Sequence, residues 1–264
     1  MKFRWLWLGP IIWVGLFLLV YFLGEGSSWH RYFVRAEIET VKGLSFLGCL
    51  AAALAFGRGD HLRRAWLLMA AGTGVILLRD LTLIPWFEII PHKHLVDGLL
   101  IFIANVFIVL CMVVFARTAR LSGLALPGSS GERLGVLGLA VVISGALTGP
   151  TLYSHGLLVL RGDFDGLVAF SSALGDAISF CLLAPVLLTA VALRGGLAGV
   201  PWWFLTVGLG SWMFYDLSFM LDTYQVFSSE QIRPAAESFR ALAFLYEFSA
   251  AVSQRLILRQ ITEK

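Results

Sequence analysis

Eight long runs of apolar residues constrain this chain more than any other feature of its sequence. An α-helix needs about 20 consecutive apolar residues to cross a bilayer, and a spanning segment must satisfy its own backbone hydrogen bonds. The pattern therefore predicts an all-α, polytopic membrane helical bundle with about eight transmembrane helices. The runs cover approximately residues 5–23, 41–57, 65–86, 97–116, 134–153, 166–193, 200–221 and 238–257.

The composition supports the same class of protein. Charged residues make up 14% of the chain and the mean hydropathy is +0.83, whereas a soluble domain contains about 25% charged residues. Eight spans of about 20 residues use about 160 residues of the chain, which leaves only short loops. No segment is long enough for a soluble catalytic or nucleic-acid-binding domain. We therefore expect membrane lipids as the surroundings and no nucleic acid as a partner.

The first apolar run follows Lys2 and Arg4, which is also how a signal peptide begins. The run is longer than the h-region of about 7–15 residues in signal peptides. The segment Gly24-Glu25-Gly26-Ser27 is also a poor match to a small-residue cleavage site. We interpret the run as a retained signal anchor, with cleavage as the alternative.

Lysine and arginine placement predicts the orientation, because cytoplasmic loops of membrane proteins are enriched in both. With the N-terminus inside, the cytoplasmic segments contain twelve of these residues and the external segments seven, with Arg79 left inside a span. An even number of spans places both termini on the same side. We expect a multi-pass protein of a bacterial inner (cytoplasmic) membrane with cytoplasmic N- and C-termini.

The third and seventh runs match each other at an offset of 136 residues. An offset of four helices preserves orientation, so the match predicts two parallel four-helix repeats. The first repeat covers 1–120, a Gly/Ser/Pro-rich cytoplasmic linker covers 121–132, and the second repeat covers 133–264. The matched pairs are Trp66 with Trp202, Gly72 with Gly208, Gly74 with Gly210, Asp80 with Asp216 and Leu81 with Leu217.

Ionisable residues inside membrane spans are costly and mark either function or a specific pairing. Two interpretations are open: the carboxylates line an outward-facing polar pocket, or they pair with Arg79 and with polar groups of neighbouring helices. The pocket candidates are Arg79, Asp80, Asp176, Asp216 and Glu247, with Tyr215, Tyr246 and Asn105 as neighbouring polar residues.

Motifs for cofactors and catalysis are absent from the sequence. His92 and His94 form an H-x-H pattern in an external loop, but without a third convincing ligand they are only weak metal candidates. No histidine lies well inside a span, so no axial haem ligand is expected. The three cysteines fall in apolar runs and are expected to be buried thiols. We expect no cofactor and no enzymatic activity.

The C-terminal third carries motifs that also occur in a bacterial membrane module. They are Leu174-Gly175-Asp176, Arg194-Gly195-Gly196, Trp202/Trp203 with Gly208, Tyr215-Asp216 and Tyr224. From about 175 to 258 the chain thereby resembles the multi-span membrane sensory modules found N-terminal to bacterial histidine kinases and diguanylate cyclases. The resemblance implies sensing of a membrane or extracytoplasmic signal. Since no output domain follows Lys264, we expect signalling through a partner.

The leading functional hypothesis is a non-enzymatic sensory or accessory subunit of a membrane complex, acting with other membrane subunits or as a homo-oligomer. The alternative is a small transporter or channel whose intramembrane carboxylates bind a cation or proton. A membrane-embedded enzyme acting on lipids is a third possibility, for which the sequence offers no catalytic set.

Overall fold

The computed structural model describes residues 3–82, 93–163 and 166–262, which contain α-helices and no β-strand. A 3₁₀ turn, Leu197–Gly199, precedes the seventh helix. The helices are α1 (Arg4–Leu23), α2 (His30–Ala55), α3 (His61–Thr82), α4 (Lys93–Leu121), α5 (Ser130–Leu160), α6 (Leu167–Ala192), α7 (Val200–Thr223) and α8 (Ser229–Thr262).

Seven of the described helices are long and apolar enough to cross a membrane. The exception is α3, which carries Arg63 and Arg64 near its start and Arg79 and Asp80 near its end. The prediction of an all-α chain with helices of membrane-spanning length and hydropathy is confirmed. These are the features of an integral membrane protein.

Helices α2 and α8 are among those that extend well beyond their apolar runs. Helix α2 begins at His30 rather than near residue 41, and α8 spans Ser229–Thr262 rather than 238–257. In α2 the usual pattern is inverted, since Glu37 and Lys42 are buried while Leu47 and Leu54 are exposed. Apolar side chains are stable against lipid, whereas polar side chains are stable only in the interior of the bundle. Because these buried polar residues lower the local hydropathy, the apolar run is shorter than the helix.

A hydrogen bond to α8 compensates for a proline in α1. Pro10 has no N–H, so the carbonyl of Leu6 loses its partner within the helix. Ser249 Oγ donates to that carbonyl oxygen at 3.1 Å, and Tyr246 Oη donates to the carbonyl of Trp7 at 3.2 Å. The first helix is therefore an integrated part of the bundle.

Six helices form a closed ring. Around it, α2 packs on α3, α3 on α4, α4 on α6, α6 on α7, α7 on α8, and α8 back on α2. Helices α1 and α5 lie outside the ring, where α1 packs mainly on α8 and α5 mainly on α6. The helices predicted for the two repeats therefore meet along three interfaces: α4 with α6, α2 with α8 and α1 with α8.

Glycines allow close helix contacts within the ring. A Cβ on Gly72 of α3 would lie 3.2 Å from the carbonyl oxygen of Ala104 in α4. A Cβ on Gly208 of α7 would lie 3.2 Å from the carbonyl oxygen of Ala243 in α8. Small residues at such positions are typical of membrane helix interfaces, because packing rather than the hydrophobic effect holds the helices together.

Replacing Gly48 by valine is expected to destabilise the bundle. A Cβ there would lie 2.6 Å from Cδ2 of Phe248, so the phenyl ring of Phe248 or helix α8 must shift to accommodate it. We expect a loss of about 1–3 kcal/mol, seen as a lower melting temperature in detergent.

Gly43→Val is the matched control, because a Cβ at Gly43 of the same helix meets no atom within 4 Å. Equal losses of stability in the two variants would contradict the packing described for Gly48.

Candidate functional site

A cavity of about 200 Å³ lies at the centre of the ring, and all six ring helices contribute to its wall. This volume is smaller than the about 300–1,000 Å³ of sites for drug-sized ligands and larger than the space for a single water molecule. Its charged residues are Lys42, Arg79, Asp80, Asp176, Asp216, Arg240 and Glu247.

Most of the residues singled out from the sequence line this cavity. Helix α3 contributes Arg79 and Asp80, and the remaining helices contribute Asn105, Asp176, Tyr215, Asp216 and Glu247. Tyr246 does not line it. Its ring packs against Phe204 and Trp7, and its hydroxyl bonds to the backbone of α1. Residues 246 and 247 are adjacent, so they point to different sides of α8.

Asp80 is enclosed by cationic side chains. Lys42 Nζ of α2 contacts Asp80 Oδ2, and Arg79 Nη2 lies 3.0 Å from Oδ1. Arg35 Nη2 donates to the backbone carbonyl of Asp80 at 3.1 Å. Lys42 also lies 3.3 Å from Glu39 Oε1. This network joins α2 to α3 and neutralises the charge of both Asp80 and Lys42.

Arg240 is also compensated. Its Nη2 contacts the carboxylate of Glu237 on the same helix. Its guanidinium carbon lies 5.6 Å from the ring centroid of Tyr215, within cation–π range. Like Lys42, Arg240 is therefore paired with groups of the protein itself and has a structural role at the cavity wall.

Three carboxylates of the cavity have no cationic partner among the residues that the structure describes: Asp176, Asp216 and Glu247. Ser172 Oγ lies 3.4 Å from Asp176 Oδ2, and Ser45 Oγ donates to Glu247 Oε2 at 2.6 Å. Asp216 of α7 lines the same cavity as Asp176 of α6. This part of the wall carries acidic groups that the described protein does not neutralise.

Much of the remaining wall is apolar and aromatic. Trp212 lies edge-on to Tyr215 at 5.3 Å and to Phe244 at 5.1 Å between ring centroids. Further apolar side chains come from four helices: Met69, Ile76, Ile101, Ile108, Phe180, Leu205 and Leu209. The cavity therefore combines acidic groups with hydrocarbon surface.

An aromatic cluster fills the bundle at the end where α3 and α7 begin. Phe115 of α4 lies between Trp66 and Trp202, with ring centroids 5.1 Å and 5.6 Å away, both edge-on. All three side chains are buried in the main hydrophobic core. Arg79, Asp80 and Asp216 lie toward the opposite end, where α3 and α7 finish, so the ring has one charged end and one packed aromatic end.

Sequence reasoning missed Lys42 and Arg240, which it assigned to external segments. Both precede or begin an apolar run, but both lie well inside helices α2 and α8. A signal was available, since Lys42, Ser45 and Gly48–Cys49 recur at helical spacing and mark one polar and small face.

A metal centre gains no support from the described residues, among which no group of three or more His, Cys, Asp or Glu is arranged to hold an ion. His92 lies outside the described residues, as does the side chain of His94. Cys49 and Cys111 are buried free thiols, and Cys181 is a half-buried one.

Comparison with known proteins adds no family: no protein-family model, curated protein or solved structure matches the chain significantly.

Substitution of Asp80 and of Asp216, which occupy matched positions in the predicted repeats, distinguishes a structural role from a ligand-binding role. Asp80→Asn leaves Lys42 without its main counter-ion inside the bundle, and breaking a buried ion pair costs about 3–5 kcal/mol. Asp216→Asn removes a carboxylate that has no cationic partner among the described residues, so we expect unchanged or slightly higher stability.

The measurement is the melting temperature of both variants in detergent, compared with the unmodified protein. Equal destabilisation by the two substitutions would show that Asp216 also has a structural counter-ion.

Proposed function

We propose that the protein is a non-enzymatic sensory or accessory subunit of a membrane complex, which binds a small polar ligand in its central cavity. The observation that carries this proposal is the group of carboxylates at the cavity wall that have no cationic partner among the described residues. An uncompensated charge inside a membrane protein is costly, and such groups commonly mark ligand or ion sites.

The packed aromatic end favours a binding site over an open pathway. In the predicted topology this end, with Trp66, Phe115 and Trp202, faces the cytoplasm. A ligand would then enter and leave on the external side, as in a sensor of an extracytoplasmic signal. This agrees with the resemblance to membrane sensory modules.

The ring geometry suggests how ligand binding in the cavity would be signalled to a partner protein. The cavity touches helices of both predicted repeats, which meet at the α4–α6 and α2–α8 interfaces. A ligand that contacts both halves favours one relative arrangement of them, and that shift in population is the signal. The partner would be another membrane subunit or a second copy of the chain.

The packing pattern also supports the proposed duplication and eight crossings. If α2 is exchanged with α6, α3 with α7 and α4 with α8, every pair of neighbouring helices in the ring becomes another pair of neighbouring helices. Gly72 and Gly208 make equivalent close approaches to the following helix, and Trp66 and Trp202 both contact Phe115. The outer helices break the symmetry, since α1 packs mainly on α8 while α5 packs mainly on α6.

A transporter of a cation or proton is the second candidate. The favouring observation is the position of the cavity between the two predicted repeats, which is where repeat-built transporters bind their substrates. A transporter must also open the aromatic end, so it requires a second conformation in which Trp66 and Trp202 separate from Phe115.

Retention of a small molecule is the direct test. We expect the protein purified in mild detergent to carry a small polar molecule detectable by mass spectrometry of the denatured sample. Asp176→Asn is expected to abolish its retention, while Asp163→Asn, which alters an exposed loop carboxylate, leaves it unchanged.

Uptake by proteoliposomes separates the two candidates. Asp176-dependent accumulation of the retained molecule identifies a transporter, and binding without accumulation identifies a sensor. Absence of any retained or bound small molecule would contradict both.

The proposed topology predicts which loops reagents can reach. In a background with all three cysteines replaced by alanine, Ser228→Cys is expected to react with a membrane-impermeant maleimide in intact spheroplasts. Ser122→Cys in the predicted cytoplasmic linker is expected to react only after lysis. Both serines are exposed, so the opposite labelling pattern would reverse the orientation.

A further inference from the structure

We infer that the cavity selects a small organic cation, with a primary ammonium group attached to a short hydrocarbon or aromatic body. The inference rests on the proposed function, since it names the chemical class of ligand for the same cavity.

The charge balance of the wall specifies a cation. Every cationic side chain of the cavity has a carboxylate contact within the protein: Lys42 and Arg79 with Asp80, and Arg240 with Glu237. Asp176, Asp216 and Glu247 have no such partner among the described residues. An anionic ligand would add to this excess of negative charge, whereas a cation would reduce it.

Glu247 supplies an observation that is independent of Asp176 and Asp216. It is only 8% exposed, so nearly all of its surface is removed from solvent. Ser45 satisfies Oε2, and no other described residue donates a hydrogen bond to its carboxylate. A carboxylate at such depth can accept several hydrogen bonds, and an ammonium group with three N–H donors would supply those that are missing.

Apolar walls favour an organic cation over a bare metal ion. Metal ions of the alkali and alkaline-earth type are coordinated by surrounding oxygen ligands, but most of this wall is hydrocarbon and aromatic carbon. A volume of about 200 Å³ also far exceeds a single ion. Met69, Ile108 and Leu205 would contact the hydrocarbon body of the ligand.

The aromatic residues add a second means of recognising an ammonium group. Trp212, Tyr215 and Phe244 form a contiguous cluster on α7 and α8 beside Asp216. Aromatic faces attract cations, and clusters of aromatic rings with acidic residues are a general solution for binding alkylammonium groups. Arg240 already occupies a position near the face of Tyr215, which leaves Trp212 and Phe244 for a ligand.

The test is calorimetric titration of the full-length protein in nanodiscs with four probes: methylammonium, n-butylammonium, benzylammonium and phenethylammonium chloride. Benzyl alcohol and 1-butanol serve as neutral analogues, butyrate as an anionic one, and NaCl and KCl as inorganic cations. We expect saturable binding of at least one organic ammonium probe, at least tenfold tighter than its neutral analogue.

Variants locate the binding. Asp176→Asn and Asp216→Asn are each expected to weaken the binding of the tightest ammonium probe at least tenfold, while Asp163→Asn leaves its affinity unchanged. Size-exclusion profiles and melting temperatures verify that each variant is folded. Since Asp176 and Asp216 have no cationic partner among the described residues, their amides are expected to fold normally.

Several outcomes would overturn the inference: failure of all four ammonium probes, equal binding of neutral analogues, tighter binding of butyrate, or ammonium binding unaffected by both variants. An Asp176-dependent response to NaCl or KCl alone would also overturn it. If the molecule retained on purification requires Asp176 but is not an amine, the proposed function stands and only the organic cation is rejected. If nothing is retained and no probe binds, both fail.

Discussion

Compensation of charge inside an apolar bundle is the constraint on which the rest of this structure depends. Lys42 and Arg79 bring two positive charges to Asp80, and this network fastens α2 to α3 at the polar end of the ring. An unpaired charge in such surroundings is costly, so most charged groups are paired within the protein. Because Lys42, Arg79 and Arg240 are already paired with carboxylates, no cation among the described residues is left to neutralise the acidic groups that α6, α7 and α8 present to the cavity.

The shape of the cavity follows from side-chain size. Gly72 and Gly208 let α3 approach α4 and α7 approach α8, while Trp66, Phe115 and Trp202 fill one end of the space that the ring encloses. Large side chains at one end and polar ones at the other leave a compact chamber rather than a continuous channel. That asymmetry is the physical basis for preferring a ligand-binding subunit to a channel or transporter. A conducting state would need Trp66 and Trp202 to separate from Phe115.

Hydropathy located each of the eight helices because a membrane helix must present a long apolar surface to lipid. It misplaced the starts of α2 and α8, where polar residues such as the buried Lys42 and the half-buried Glu237 interrupt the apolar pattern but continue the helix. The cost of intramembrane charge directed attention to Asp80, Asp176, Asp216 and Glu247, and all of them line one cavity. The same reasoning could not exclude Tyr246, since a tyrosine next to a buried acid can face either side of its helix.

The sequence by itself determined the class of protein, the approximate positions of the helices and the short set of costly acidic residues, because these follow from local composition and the energetics of a bilayer. Only the tertiary structure decided which acids are neutralised. Asp80 and Asp216 occupy matched positions in the predicted repeat, yet α2 brings Lys42 to the first, and no described residue brings a cation to the second. That difference depends on contacts between residues distant in sequence, which only the folded ring creates.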